Sequence, residues 1–487
     1  MTVSTRSGQA VSDLYNLERG EDTINLKCGR HLLSLLGFLS PDETVTIWIF
    51  FSDHGAAARR IDGSTSETWS ISPRACARMR LRTSLDYDLL CVCTAYIDSL
   101  RPHVKRFRRT SKYFNAVSAE VEARSVAAIC SYPFVKKVDK VAVYRRRRDS
   151  DVTCPVDVTC RSRTVEPVFD KYGESLDQLK QIQMLELLEA GYNGSGMKTG
   201  VRPVLICILD TGFNCDHEAL QSVNVLAEWD FVQNDSVTSN EAGDHPLQDM
   251  HGTTVLGTIA GYHEGDLIGP AWGADYILAK TEIYDDEIKI EEDNWVAGIE
   301  WADSIGADIV SSSLGYIEWY APDSMDGDTP LCTRMADRAV SRGMVVVNAV
   351  GNGYPGYGVI APADGDSVIA VGAVDRYGNI AHFSSRGPTA DHRIKPELVA
   401  MGVGVHSVGY PTTTGYGSCY GTSYATPLVA GVCALLLEIH PEWSPIEVRQ
   451  ALLFTSTRSG SPDNTYGYGV PRALMASGFD GESLIFT

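Results

Sequence analysis

No stretch of the 487-residue chain approaches the roughly 18–20 uninterrupted apolar residues of a membrane-spanning helix. Net positive charge is missing as well. A formal charge of −20 argues against general nucleic-acid binding, which needs an excess of basic surface. The 12 cysteines form no cluster with histidine at zinc-ligand spacing. One close pair, Cys154 and Cys160 in CPVDVTC, leaves a local disulfide open but decides neither pairing nor redox compartment. Internal repeats and low-complexity tracts are absent. So is the GxSxG elbow of α/β-hydrolases, because Ala425 stands where that motif requires glycine. A standard signal peptide is not found at Met1; LLSLLGFLS (Leu32 to Ser40) is short, displaced from the start, and reads at least as well as a core helix.

What is present is a globular composition, 44% hydrophobic and 21% charged, with 44 glycines that imply many turns. The length allows two or three domains and at least one large core. Charge is unevenly spread: Arg74 to Arg148 holds eighteen Lys/Arg against six Asp/Glu, so this basic segment lies inside an otherwise strongly acidic chain. Residues 1–42 carry no signature. From Glu43, TVTIWIFFSDHG reads as a strand closed by a Gly turn, SPRACARMRLR as a basic helix, and the stretch to Tyr144 as strand, helix, strand. This pattern predicts a small α+β domain over 43–148, closed by RRRR (Arg145 to Arg148), which is either a solvated loop or a protease-sensitive boundary.

A linker over 149–168 follows. Beyond it, VLICILD, DIVSSSLG, GMVVVNAVGN and SVIAVGAV read as strands buried on both faces, alternating with amphipathic segments. Residues 169–487 are therefore expected to form an α/β domain with a parallel sheet, whose chemistry gathers at the carboxyl ends of the strands. Three residues stand at strand ends or helix starts: Asp210 in LDTGFN, His251 in HGTTVLGTIAG and Ser423 in GTSYATPLVAG. Taken singly, each has a bland reading: a turn aspartate, one of eleven histidines, and an N-cap serine with Pro427 near a first turn.

Taken together, in the order Asp, His, Ser, they resemble the subtilisin family of serine peptidases (subtilases), for which that chain order is known. SSSLGY (Ser311 to Tyr316), NAVGNGYPG (Asn348 to Gly356), FSSRGP (Phe383 to Pro388) and KPELVAMGVGV (Lys395 to Val405) extend the resemblance over roughly Tyr172 to Ala473. It implies a subtilisin-like parallel β-sheet flanked by helices, with Asp210, His251 and Ser423 as the triad and Asn352 as oxyanion donor. It also implies substrate binding by Ser313, Leu314, Gly315 and Gly351, the two glycines opening an S1 pocket for a large apolar side chain. Thr254 departs from the pattern, since many relatives carry a second histidine there.

The resemblance further makes 43–148 a propeptide-like domain that occupies the cleft as an intramolecular inhibitor, its basic surplus complementing the acidic catalytic domain. Protein or peptide substrates are expected, with no cofactor, no nucleic acid and no membrane span. Clustered carboxylates in YDDEIKIEEDNW (Tyr284 to Trp295) leave a structural calcium open beside the commoner reading of a solvated acidic face. Secretion or residence in the cell envelope is the family expectation, and the closing segment GYGVPRALMASG leaves little room for a C-terminal binding domain. Two other functions fit the same fold: a peptidase confined to one self-cleavage, and a non-catalytic binding scaffold.

Overall fold

A computed structural model describes residues 26–55, 71–83, 92–141, 145–147 and 171–478, apart from 285 and 289. The chain divides into two compact units. One comprises Met1–Ser70, Leu85–Tyr144 and Ile288–Asp293; the other comprises Ile71–Ser84, Arg145–Glu287 and Asn294–Thr487. The segments holding residues 1–25, the Cys154–Cys160 pair and the 149–168 linker lie outside or almost wholly outside the described residues.

The smaller unit is an antiparallel sheet of order β2-β3-β1-β4 with helices packed on it. Its strands are β1 (Thr44–Phe51), β2 (Val104–Ser111), β3 (Ala116–Glu122) and β4 (Val135–Val141). Its helices are α1 (Arg30–Leu36), α3 (Thr94–Leu100) and α4 (Ser125–Ser131). Ile47 and Ile49 of β1, Val117 of β3 and Val126 and Ile129 of α4 bury their side chains in one core. Leu32 and Leu36 of α1 join that core, so LLSLLGFLS is a core helix and the preceding segment contributes to the domain. The basic helix α2 (Pro73–Arg82) lies between β1 and α3 in sequence but packs within the larger unit.

The larger unit is built on a seven-stranded sheet, all of whose pairings are parallel. Its strands are β6 (Leu205–Asp210), β7 (Asn224–Asp230), β8 (Asp275–Lys280), β10 (Ile309–Ser312), β11 (Val345–Ala349), β12 (Ile369–Val374) and β13 (Leu398–Met401). Their spatial order is β13-β12-β11-β10-β6-β8-β7. Every residue of β6, β10, β11, β12 and β13 is buried, which is why these strands do not alternate between apolar and polar residues; β10 (IVSS) and β11 (VVVNA) bury Ser and Asn side chains as well. From central β6 the chain first builds toward β7 and then returns to the other side at β10. The order therefore reverses between β6 and β10, the place where open α/β sheets collect functional groups.

Three helices supply the core and the site: α5 (Met250–Ala260), α6 (Ile290–Ile305) and α8 (Thr422–Ile439), with α7 (Leu331–Ser341) and α9 (Pro445–Thr455) farther out. Helix α8 is long and apolar enough by length and composition to cross a membrane, but 94% of it is buried inside the protein. It is a core helix. Three short sheets complete the described part of the unit: β14 (Val403–Val408) with β15 (Tyr416–Tyr420), β5 (Arg145–Arg147) with β9 (Asp286–Ile288), and the two-residue strands Tyr262–His263 and Leu267–Ile268 with each other.

Candidate active site

Asp210 is the last residue of β6 and is fully buried. Its Oδ1 accepts hydrogen bonds from the Thr211 backbone N–H at 2.8 Å and from Thr211 Oγ1 at 3.3 Å. The same oxygen lies 2.6 Å from His251 Nδ1, while Oδ2 has no hydrogen-bond partner among the described residues. A buried carboxylate is costly unless it is hydrogen-bonded, so the imidazole and the Thr211 N–H are what make this position tenable. His251 stands on the first turn of α5. Gly252 behind it allows the helix to approach the strand: a Cβ there would lie 2.1 Å from Gly212 O and 3.0 Å from the Asp210 Cβ. Any larger residue would push His251 away from its carboxylate.

Ser423 follows Gly421 and Thr422 at the start of α8 and is 7% exposed. Gly421 has φ 141°, a conformation that an L side chain rarely adopts, and this sets the sharp entry into the helix. The His251 ring lies 5.9 Å from that of Tyr424, the residue after the serine. Thr254, one turn beyond His251, has its Oγ1 3.0 Å from the Tyr424 hydroxyl, so the residue at the expected second-histidine position links the helices that bear His251 and Ser423.

Pro427 is not a first-turn proline but lies inside α8. Lacking an N–H, it cannot bond the carbonyl four residues back, which is that of Ser423. The Ser313 hydroxyl supplies the missing donor, reaching Ser423 O at 2.7 Å. Ser423 Oγ in turn donates to Ser313 O at 3.4 Å. Ser313, expected only as a substrate contact, thus also holds the serine-bearing turn, one residue beyond β10.

Asn352 lies in the Gly-rich loop after β11. Its Oδ1 accepts from the Thr422 N–H at 2.8 Å and from Thr422 Oγ1 at 3.0 Å. With the amide oxygen committed, Nδ2 is the end left to donate, and it lies 3.5 Å from where a Cβ on Gly421 would stand. Asn348, on β11, donates from Nδ2 to Leu314 O at 2.9 Å and so braces the segment Ser313 to Gly315.

The open S1 pocket expected at Gly315 and Gly351 requires correction. Ile360 Cδ1 lies 2.3 Å from where a Cβ on Gly315 would stand and 3.1 Å from the equivalent point on Gly351. The space left by both missing side chains is filled by Ile360. Ile360 comes from a loop whose approach no sequence pattern announced, and the partners of Thr254, on α5, and Asn348, on β11, were equally unannounced. Gly252 was more legible, being a glycine beside a helix-start histidine.

The acidic run 284–295 also differs from a cation-binding loop. It is divided between β9 and the first turn of α6, where Glu291, Glu292 and Asp293 are buried and Glu291 Oε2 accepts from the Ile288 N–H at 2.9 Å. Among the described residues the carboxylates that do cluster are those of Asp230, Asp235 and Glu241, whose oxygens lie within 4.8 Å of one another. Burial first, and Asp235 next, push the Glu241 carboxyl up. This all-oxygen set suits a hard cation, but the Lys280 ammonium already lies 2.8 Å from Asp230 Oδ2.

Comparison with known proteins agrees with this architecture. The family description "Subtilase family" matches residues 202–469, and "Peptidase S8 propeptide domain, Bacteroidota" matches residues 46–153. Subtilisin E of Bacillus subtilis (strain 168) is 32% identical over 372 residues, covering 75% of this chain and 80% of the relative. The subtilisin of Bacillus pumilus is 36% identical over 306 residues, 61% of this chain and 97% of that one. Among solved structures, fervidolysin from Fervidobacterium pennivorans, described as a keratinolytic enzyme related to subtilisin, aligns over 90% of this chain with a TM-score of 0.61 at 20% identity. The chain spans 61% of fervidolysin's length, and at that identity the likeness speaks for the fold alone. Carrying the subtilase domain over more than half its length and a propeptide domain before it, the chain belongs to the subtilase family and is a serine-type endopeptidase.

Proposed function

We propose that the enzyme hydrolyses peptide bonds through an acyl-enzyme formed on Ser423, with His251 as general base and acid and Asp210 as its orienting carboxylate. The observation that carries this reading is the 2.6 Å contact between His251 Nδ1 and the buried Asp210, on the helix whose Thr254 meets the residue after Ser423. A serine hydroxyl is a weak nucleophile near neutral pH and needs such a base. Asp210 fixes the proton on Nδ1, leaving Nε2 to take the Oγ proton as Oγ bonds to the scissile carbonyl carbon. The carbonyl oxygen becomes an oxyanion, for which Asn352 Nδ2 and the Ser423 N–H are the donors. The latter belongs to the first turn of α8, where N–H groups have no intrahelical acceptor. Breakage of the C–N bond then delivers the proton from Nε2 to the leaving amine. Water repeats the sequence to release the acid.

Every acid–base and oxyanion role in this scheme is filled by the chain's own residues, so no cofactor is required. A structural calcium would be held by Asp230, Asp235 and Glu241, in competition with Lys280. Ile360 makes the substrate class one with a small side chain at the position before the cut, because it fills the space between Gly315 and Gly351.

The smaller unit, with its boundary near residue 148 and the catalytic domain beginning near 169, acts in this reading as an intramolecular inhibitor removed by cleavage. Support comes from Arg145–Arg147, which enters a two-stranded sheet with Asp286–Ile288, as an extended peptide does when it adds a strand to an edge. That same pairing favours the second reading, a peptidase confined to its own cleavage. Secretion or residence in the cell envelope accompanies the reading as the usual setting of such enzymes.

The test compares the wild type with Ser423→Ala for N-terminal processing, casein hydrolysis and labelling by a serine-directed phosphonate. Labelling and casein turnover in the wild type alone are expected. A wild type that neither labels nor degrades casein in any processed state refutes the reading, and processing without casein turnover selects the self-cleaving alternative.

A further inference from the structure

Helix α2 is capped by Ser72, whose Oγ accepts from the Ala75 N–H at 3.1 Å and donates to Ile305 O at 2.5 Å. Its arginines then enter the body of the larger unit in succession. Arg74 contacts Asp308 at 2.9 Å and Asp275 at 3.5 Å, and Arg82 contacts Asp308 at 3.1 Å. Arg78, wholly buried, pairs with Asp303 and donates to Ala307 O at 2.5 Å. Ala75 and Met79 are buried beside them. Beyond the helix, Arg82 Nε reaches Pro441 O at 3.1 Å and Thr83 Oγ1 reaches Ser341 O at 3.0 Å.

The seat is shaped for this helix. A Cβ on Gly306 would lie 2.6 Å from the Ala75 backbone nitrogen, so the loop before β10 admits the helix only because that residue has no side chain. Burial alone would raise the Asp308 carboxyl, but the guanidiniums of Arg82, Arg202 and Arg74 and the Leu205 N–H instead hold it down at about 2. A buried guanidinium is costly without a carboxylate beside it; Arg78 has Asp303 and Ala307 O on its terminal nitrogens, while its Nε has no partner among the described residues, and withdrawing α2 would take two guanidiniums from Asp308 and one from Asp303. Asp308, Asp275 and Leu205 stand at the N-terminal ends of the strands. Asp210 stands at the other end of β6, about 17 Å away by the rise of a six-residue strand. The seat is therefore remote from the candidate catalytic groups.

We infer that residues 71–83 are a resident arm of the catalytic unit, held at the N-terminal end of its sheet by a built arginine-helix binding site that keeps them after the chain on either side has been cut. The consequence is a second hold on the N-terminal region, independent of the peptidase chemistry. A fragment carrying the arm leaves slowly even when nothing of it lies near Ser423.

The test uses the full-length Ser423→Ala chain, with site-specific protease recognition sequences placed within 60–66 and within 85–91. Both sites are cut, and the product is passed through a sizing column at about 150 mM salt, where exposed pairs are largely screened. Mass spectrometry is expected to find the arm peptide co-eluting with the catalytic unit at near-equal amounts. An Arg78→Ala/Arg82→Ala double variant is expected to lose at least ten-fold in retention. Elution of the unaltered arm as free peptide overturns the proposal whether or not the variant folds, and unchanged retention in a folded variant overturns the role of the arginines.

Discussion

The two ends of the seven-stranded sheet are built on opposite principles. At the carboxyl ends of β6, β10 and β11, polar groups are left partly unsatisfied: Asp210 Oδ2 has no partner, and Asn352 engages its oxygen while its nitrogen stays available. At the amino ends, Asp308 is surrounded by Arg74, Arg82 and Arg202 and also accepts from the Leu205 N–H at 3.0 Å. In the proposed scheme the first end keeps hydrogen-bonding capacity for a transition state, whereas the second commits the Asp308 carboxylate to the ground state. The same strands serve both, because a buried parallel sheet is stiff enough to hold one end open.

The sharpest way to break that comparison is at Asp308. Asp308→Ala leaves three guanidiniums facing a vacant partner and is expected to cost about 3–5 kcal/mol, read as a fall in denaturation midpoint with kcat of the folded fraction unchanged. Asn352→Ala should do the reverse, lowering kcat on the order of 10²–10³-fold at nearly unchanged stability. That range is known from a subtilisin and is carried over from it. If Asp308→Ala lowers kcat at full folding, or Asn352→Ala unfolds the protein, the division of labour is wrong.

Acid titration separates the two ends from a third region. His406, on β14 and stacked on Tyr416, is held down at about 4 by burial, with Asp266 opposing weakly. The unfolded chain therefore binds its proton first as pH falls, and about 3 kcal/mol of stability is lost between about pH 6.5 and 4. Asp308 is ionised in the folded state down to about 2, so its contribution of about 2–3 kcal/mol persists above about pH 4 and disappears below it. Urea denaturation across pH should show two windows, with His406→Gln erasing the upper and Asp308→Asn the lower. A single window, unaffected by either change, would contradict the assignment.

Ser313→Ala removes the donor that replaces the absent Pro427 N–H and leaves Ser423 O unpaired, costing about 1–3 kcal/mol and reducing kcat together with stability. Ile360→Gly is expected to show its distinctive effect in specificity. It should shift cleavage from small toward large apolar residues by about 1–3 kcal/mol in relative kcat/KM, measured on a matched Ala/Phe peptide pair.

Much of this was legible in the chain. The continuous apolar run ending in Asp210 announced a buried parallel strand, because a strand covered on both faces cannot alternate. The arginines of α2 read as surface charge on a basic module, since periodicity reveals a helix but not the element it will pack against. Pro427 read as a first-turn residue because the helix start is set by Gly421, whose backbone angle no local pattern predicts.

What the sequence by itself determined is the set of candidate catalytic groups and the strands and helices that present them. Those depend on local preference and on apolar periodicity, both written along the chain. What only the tertiary structure decided is partnership: Ile360 over the two glycines, Ser313 repairing the carbonyl that Pro427 leaves open, and α2 seated by Asp303 and Asp308. Apart from Ile360 and Gly351, these contacts join residues 45 to more than 200 positions apart. They arise from close packing and from the cost of burying an unpaired charge, neither of which acts until the chain has folded.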